Sequence, residues 1–447
     1  MAVTDLSAFV ETLKSRRLFE PGTPLFVARA PGRLDFMGGI ADYSGSLVLE
    51  RPITEATFAA LELMDEPAIH VTSIGRPSFT ITFESLLPDG EPIRYEEARA
   101  LFRGAPDHHW AAYVVGIFLV LIRERRATFS RGARLVISSS VPEGKGVSSS
   151  AALEAAVMQA VCGAFEIRLE PREMALLCQK AENLVAGAPC GVMDQMTCIL
   201  GEADALLALL CQPAELQEPV PVPRELGLWG IDSGERHSVG GSDYGSVRTG
   251  AFMGHRLIME KYSANLGYLA NLTTSEFERE LLPCLPDEMS GEAFLARYSG
   301  IADTVTRVHP SRVYKIRQPA AHPIYENHRV QMFRKLLLSP SGEEQRKLLG
   351  ELMYQSHQSY TACGLGSPGT DLIVNLVRAE GPSRGMYGAR ITGGGSGGTV
   401  AVLGRSDAYP AVLRIVEAYQ AMTGYRSYVF LGSSEGAARF GCKNLVL

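Results

Sequence analysis

The run Pro142-Glu-Gly-Lys-Gly-Val-Ser-Ser-Ser-Ala-Ala-Leu-Glu154 sets three consecutive hydroxyls, Ser148, Ser149 and Ser150, between a Gly-bearing loop and an Ala-rich stretch. Small residues let a ligand approach the backbone closely. The first turn of a helix leaves N–H groups unpaired, and its dipole favours negative charge there. The chemistry that suits this pattern is anion binding, with Ser149 or Ser150 able to add hydrogen bonds or a ligand to Mg²⁺. A G-x-x-x-x-G-K-[ST] phosphate loop is not present. A plain strand-to-helix loop capped by serine fits the same residues.

Three further segments carry reactive types. Arg390-Ile-Thr-Gly-Gly-Gly-Ser-Gly-Gly-Thr399 holds five glycines in six positions, which is entropically costly and marks a place where something must come near the backbone, or a tight hairpin. Ala30-Pro-Gly-Arg-Leu-Asp-Phe-Met-Gly-Gly-Ile-Ala-Asp-Tyr43 places Arg33, Asp35 and Asp42 around a glycine pair. Ala188-Pro-Cys-Gly-Val-Met-Asp-Gln195 puts a single carboxylate, Asp194, at the start of an apolar helix. Taken singly, each of these polar residues also fits a helix cap or an ion-pair partner.

The elements that must position them follow from patterning. Leu25 to Ala28 reads as a strand ending in a turn at Pro31-Gly32-Arg33, and Ser46 to Ile53 as another strand. Thr54 to Leu61 and Ile69 to Phe83 contain short alternating segments of a strand-rich sheet. Helices are expected at Trp110 to Arg125, Ser149 to Phe165, Pro171 to Val185 and Met193 to Gly201, with a strand at Arg134 to Ser138. Pro213 to Pro223 contains four prolines and serves as the expected junction between an N-terminal domain, 1–215, and a C-terminal domain, 224–447. Beyond it come a strand at Leu226 to Asp232, a helix-rich region from Val247 to about Glu380, strands at Ala389 to Thr392 and Thr399 to Leu403, a helix at Ala408 to Thr423, and a strand at Ser427 to Phe430.

Bulk composition narrows the class. A chain of 447 residues with 46% apolar and 21% charged residues is an ordinary globular enzyme of two or three domains. The net charge of −6 argues against a general nucleic-acid binder. Eight cysteines form no C-x-x-C pair and no metal spacing, so free thiols in a reducing cytoplasm are expected. Met1 to Glu20 lacks an apolar signal core, and the longest apolar run, Trp110 to Ile122, is too short to cross a bilayer. A cytoplasmic location without membrane partners is therefore expected.

Together the four segments resemble the GHMP kinase superfamily, in the expected order and spacing. Trp110-x-x-Tyr113-x-x-Gly116 and Asp243-Tyr-Gly-Ser-Val-Arg248 look like elements of its galactokinase branch. The likeness runs from about residue 26 to about residue 435. Within that branch the runs Gly38 to Leu47, Ile231 to Arg248 and Ile391 to Thr399 are similar to the kinase portion of the plant L-arabinokinase group. The resemblance implies an α+β, two-domain GHMP kinase fold: an N-terminal ribosomal-protein-S5-like α/β domain, a C-terminal ferredoxin-like α+β domain, and an active site between them. It implies transfer of the γ-phosphoryl group of ATP to the anomeric hydroxyl of a monosaccharide.

The roles it implies are these. Asp194 accepts the hydroxyl proton or orients the hydroxyl, with Arg33 beside it. ATP lies on Gly144, Lys145, Gly146, Val147, Ser148, Ser149 and Ser150, with Trp110 bordering the adenine. Mg²⁺ is held by Ser149 or Ser150 and by Glu182. The sugar meets Asp42, Cys190, Gly191 and Tyr244, at a corner edged by Gly39 and Ile40. His237 reads as a structural hydrogen-bonding residue and Cys190 as a pocket wall. Galactokinases place Glu and His where this chain has Gly39 and Ile40, and that Glu bonds the sugar 6-hydroxyl. L-Arabinopyranose has the same ring stereochemistry without the sixth carbon, so an apolar corner suits it; an unpaired buried acceptor there would cost about 1–3 kcal/mol. Galactose, another sugar or a uronic acid remain alternatives, as do a non-sugar GHMP substrate and a catalytically silent sensor that binds ATP and sugar on the same fold. Monomer and homodimer are both open.

Overall fold

A computed structural model describes residues 2–104, 106–236, 242–262 and 266–447; His237 lies outside them. The chain folds into two halves of mixed helix and strand. In the first, β1 (Pro24–Met37) and β2 (Leu47–Met64) form a long antiparallel pair. Next come β3 (Ala68–Ser73), β4 (Phe79–Thr82) and β5 (Gly132–Ser139), giving the sheet order β1-β2-β5-β3-β4, with β3 and β5 parallel. A sixth strand, β6 (Ala205–Leu210), pairs with the other end of β2.

Two elements differ from the sequence reading. Pro31-Gly32-Arg33 is not a turn but lies within β1, where the register shifts between Pro31 and Arg33. Pro31 needs no ladder donor at an irregularity, and a Cβ on Gly32 would lie 2.6 Å from the Val147 carbonyl oxygen. The two strands expected between 46 and 61 are one continuous β2, because the burial that covers it does not break at Pro52.

Helices cover this sheet: α1 (Ala111–Arg125), α2 (Ser149–Ala164), α3 (Pro171–Ala181) and α4 (Met193–Leu200). The small apolar faces of α2, including Ala151, Ala152, Ala155 and Ala156, are fully buried and bring it down onto β1 and β2. After α3 the chain continues as a π-helical turn, Glu182–Ala186, before the loop that leads to α4.

The second half has a four-stranded antiparallel sheet. It comprises β7 (Leu226–Asp232), β8 (Met386–Ile391), β9 (Thr399–Arg405) and β10 (Val429–Phe430), in the order β8-β9-β7-β10. Its helices are α5 (Ser242–Met259), α6 (Arg317–Leu337), α7 (Glu343–Cys363), α8 (Pro368–Glu380) and α9 (Tyr409–Thr423). The halves share a core: Phe36, Leu47 and Leu49 of β1 and β2 pack with Phe333 of α6, Met353 of α7 and Leu403 of β9. The Phe36 and Phe333 rings lie 6.1 Å apart.

The chain end crosses back. β11 (Lys443–Val446) pairs antiparallel with the start of β1, and Phe440 packs edge-on against Phe58 of β2. Residues 443–446, at the far end of the chain, thus add a strand to the first sheet. Among the described residues no helix is long and apolar enough to cross a membrane.

Candidate active site

A cleft opens where the two halves meet. One wall is the N-terminus of α2. The loop before it reaches that helix through left-handed backbone at Gly144, Gly146 and Ser148, with φ of 68°, 69° and 59°. Ser148 stands at the cap of α2, and its hydroxyl is buried without a hydrogen bond to the protein. Ser149 and Ser150 follow on the first turn and also line the cleft. The wall therefore presents unpaired backbone N–H groups, three hydroxyls and the positive end of a 16-residue helix.

Facing it is Asp194, in the first turn of α4. Its Oδ1 accepts two hydrogen bonds from Arg33, from Nη2 at 2.6 Å and from Nε at 3.0 Å. Arg33 Nη1 donates to the Gly146 carbonyl at 2.8 Å, and the Arg33 backbone N–H to the Val147 carbonyl at 3.1 Å. One side chain thus ties β1, the anion loop and α4 together. Burial alone would lower the guanidinium pKa, but Asp194, Glu50 and Asp35 hold it above its ordinary value.

Glu50 completes this charge cluster and was not singled out from the sequence. It lies 3.2 Å from Arg33 Nε and directly opposite Asp35 in the β1–β2 ladder. Burial, then the Asp35 charge, pushes its carboxyl well above the usual range. A glutamate directly after the apolar run Leu47-Val48-Leu49, in a strand, was the available signal.

The far end of the cleft is lined by Asp42, Cys190, Gly191 and Tyr244. Asp42 is buried, and burial together with Asp194 pushes its carboxyl up to about 7 against the pull of Arg248. Its Oδ1 accepts the Tyr43 N–H at 2.7 Å. Gly191 lies so close that a Cβ there would be 1.5 Å from Asp42 Oδ2. Cys190 and Gly191 sit on a loop held by Asn183, which bonds both the N–H and the carbonyl of Cys190, at 2.8 and 3.3 Å. Burial raises the Cys190 thiol, so it is a neutral wall. Tyr244, from α5, closes this end against the Tyr43 ring at 6.2 Å between centroids.

Glu182 lies beside the serines. Gln195 Nε2 donates to its Oε2 at 2.6 Å and to Glu154 Oε2 at 3.1 Å. Burial, then Asp194, raises Glu182 to about 7, while the Ser150 hydroxyl beside it opposes the rise. Glu154, fully buried on α2, is the second residue the sequence reading missed; an acid in an Ala-rich helix was its only sign.

Three expected residues do not line the cleft. Trp110 is buried at the cap of α1, with the Arg76 guanidinium 5.9 Å from its ring centre. Lys145 turns to the second half, where Nζ pairs with Asp232 Oδ2 at 2.9 Å and stands over the Tyr425 ring. The Val147 side chain is fully buried, and only its carbonyl acts, on Arg33. The other expected residues, Gly39 and Ile40 included, come together around the one cleft.

The glycine run explains how the halves close. A Cβ on Gly398, at φ 83°, would lie 2.7 Å from the Lys145 carbonyl oxygen. Thr399 Oγ1 donates to that same carbonyl at 2.8 Å. Behind the run, Arg390 forms a fully buried double hydrogen bond with Asp35, at 2.9 and 3.2 Å. Asp35 also accepts the N–H groups of Gly39 at 3.0 Å and Gly393 at 3.1 Å.

Residues 112–202 match the family of GHMP kinases N terminal domain, and 333–421 that of GHMP kinases C terminal. Residues 16–63 match the galactokinase galactose-binding signature. The chain is 44% identical to an L-arabinokinase of Arabidopsis thaliana, over 96% of this chain and 48% of that protein, so it spans about half the length of that relative. It is 31% identical to a galactokinase of Chloroflexus aurantiacus over 90% of both chains. The crystal structure of Lactococcus lactis galactokinase complexed with galactose has the same fold, with a TM-score of 0.76 at 22% identity, covering 98% of this chain and 100% of that one.

Proposed function

Because the chain belongs to the GHMP kinase family, in its galactokinase branch, we propose that it is an ATP-dependent monosaccharide 1-kinase that converts L-arabinose to β-L-arabinose 1-phosphate. The observation that carries this reading is the Arg33–Asp194 pair, with Nη2 to Oδ1 at 2.6 Å, facing the serine-lined start of α2 across one cleft.

In this reading the anomeric hydroxyl donates a hydrogen bond to Asp194 and attacks the γ-phosphorus. The new P–O bond forms as the bond to the ADP oxygen breaks, and the hydroxyl proton passes to Asp194. Phosphoryl transfer through a loose transition state asks mainly for positioning and charge stabilisation. Arg33 supplies both: it fixes the carboxylate, and its charge stands beside the transferring group. The α2 N-terminus and Ser148, whose buried hydroxyl makes no bond to the protein, hold phosphate oxygens.

Mg²⁺ fits the donors present. Glu182 and the neighbouring Ser149 or Ser150 offer one carboxylate and a hydroxyl, as this ion prefers when phosphates and waters supply the rest. Bound there it would neutralise phosphate charge.

The preference for L-arabinose rests on the 44% identity to the plant L-arabinokinase and on the apolar corner at Gly39 and Ile40. ADP release measured in parallel with L-arabinose, D-galactose and D-glucuronate tests it, with the phosphate position fixed by NMR. Turnover with none of these sugars would sink the reading; a higher kcat/KM for D-galactose would move it to galactokinase.

A further inference from the structure

The sugar corner is held from outside the cleft. Gly39 and Ile40 line it, and their N–H groups are bonded by side chains behind it: that of Gly39 donates to Asp35 Oδ1 at 3.0 Å. Ile40 N–H donates to Tyr360 Oη at 2.9 Å, and that hydroxyl donates to the Gly393 carbonyl at 2.9 Å. Tyr360 comes from α7 in the other half, is fully buried, and lies 5.0 Å from the Arg390 guanidinium. This hydroxyl ties the Ile40 N–H to the glycine run, beside the Asp35 carboxylate that accepts the N–H groups of Gly39 and Gly393.

Position 39 points the same way. At φ 29° its Cβ would lie 1.5 Å from Tyr360 Oη and 2.7 Å from Arg390 Nη2. On this backbone a side chain at 39 would run into the buried Asp35–Arg390–Tyr360 network. The corner therefore presents backbone and the Ile40 side chain to a ligand, and its depth depends on where the Tyr360 hydroxyl holds them. Ile40 packs in the same apolar cluster as Tyr43, Tyr244 and Tyr360, which leaves it little room to retreat.

We propose that Tyr360 is a specificity-positioning residue: its hydroxyl holds the Gly39–Ile40 wall inward, so that a pyranose without an exocyclic carbon fits and one bearing that carbon is excluded. This rests on the sugar-kinase reading above. It names a residue that touches no substrate and acts only through the wall.

The experiment compares Tyr360→Phe, Tyr360→Leu and Ile40→Ala with the unaltered chain. The sugars are L-arabinose, D-fucose, which adds a methyl group at the corner, and D-galactose, which adds CH₂OH. One extra carbon in a tight pocket is discriminated by about 10–200-fold. Both Tyr360 variants should raise kcat/KM for D-fucose and D-galactose relative to L-arabinose by about tenfold or more, through lower KM for those two sugars, while kcat for L-arabinose stays within about threefold. Ile40→Ala should shift the ratio the same way. An unchanged ratio in both Tyr360 variants overturns the proposal, whether or not Ile40→Ala shifts it. Circular-dichroism melting checks the fold. Were both Tyr360 variants unfolded, Gly39→Ala presses on the same hydroxyl from the other side, and an unchanged ratio there overturns the proposal equally. Failure of the sugar-kinase reading would appear separately, as no turnover of any sugar by the unaltered chain.

Discussion

Replacing Asp194 by asparagine exchanges one oxygen for NH₂ and removes both the charge and the capacity to take a proton. Asn can still offer Oδ1 to Arg33, whose two N–H groups lie 2.6 and 3.0 Å from it. Two consequences separate. For catalysis, a positioned proton acceptor is worth about 10²–10⁴ in rate, or about 3–5 kcal/mol at about 1.4 kcal/mol per decade. For stability, breaking a sealed ion pair costs about 3–5 kcal/mol. This pair is not sealed, since the Asp194 side chain is 19% exposed. Glu50 also stands 3.2 Å from the same guanidinium and can ionise to replace the lost charge. The stability loss should therefore fall to about 1–2 kcal/mol. The assay is single-turnover phosphorylation of L-arabinose beside urea unfolding of the same preparation. Turnover reduced by at least 10²-fold, at saturating substrates and with the fold retained, is the expected outcome. Turnover within tenfold of the unaltered chain would refute the assigned role, because proximity to Arg33 would then be structural only.

Gly191→Ala puts a methyl group 1.5 Å from Asp42 Oδ2, so the carboxylate must move; the KM for the sugar should rise about tenfold while that for ATP changes little, by steady-state kinetics. The Asp42 carboxyl is raised from 3.8 to about 7, by burial and then by Asp194, so the folded form binds its proton more tightly than the unfolded chain does. Stability from this group is thus lost as pH rises from about 4 to about 7 and stays lost above it. The melting temperature of Asp42→Asn relative to the unaltered chain should climb across that window and then level off; a difference that is flat with pH contradicts this. Asp35→Asn weakens a fully buried pair with Arg390, bonded at 2.9 and 3.2 Å, and should lower unfolding free energy by about 3–5 kcal/mol in urea titration.

Sequence alone marked most of the segments that come to line the cleft. Serines after a glycine loop, one acid opening an apolar helix and five glycines in six positions are local signatures: each follows from what a helix N-terminus, a helix cap or a close backbone approach requires of neighbouring residues. The α+β class was legible for the same reason, since the period of apolar residues is a short-range property. What only the tertiary structure decided are the pairings between distant segments. Arg33 meets Asp194 across 161 residues and Tyr360 meets Ile40 across 320. Lys145 leaves the cleft for Asp232, Trp110 sits behind Arg76, and the last strand returns to β1. Buried acids such as Glu50 and Glu154 look like misplaced charges until the fold supplies their partners. Ion pairs and contact directions depend on where two chain segments end up in space, and no local pattern encodes that.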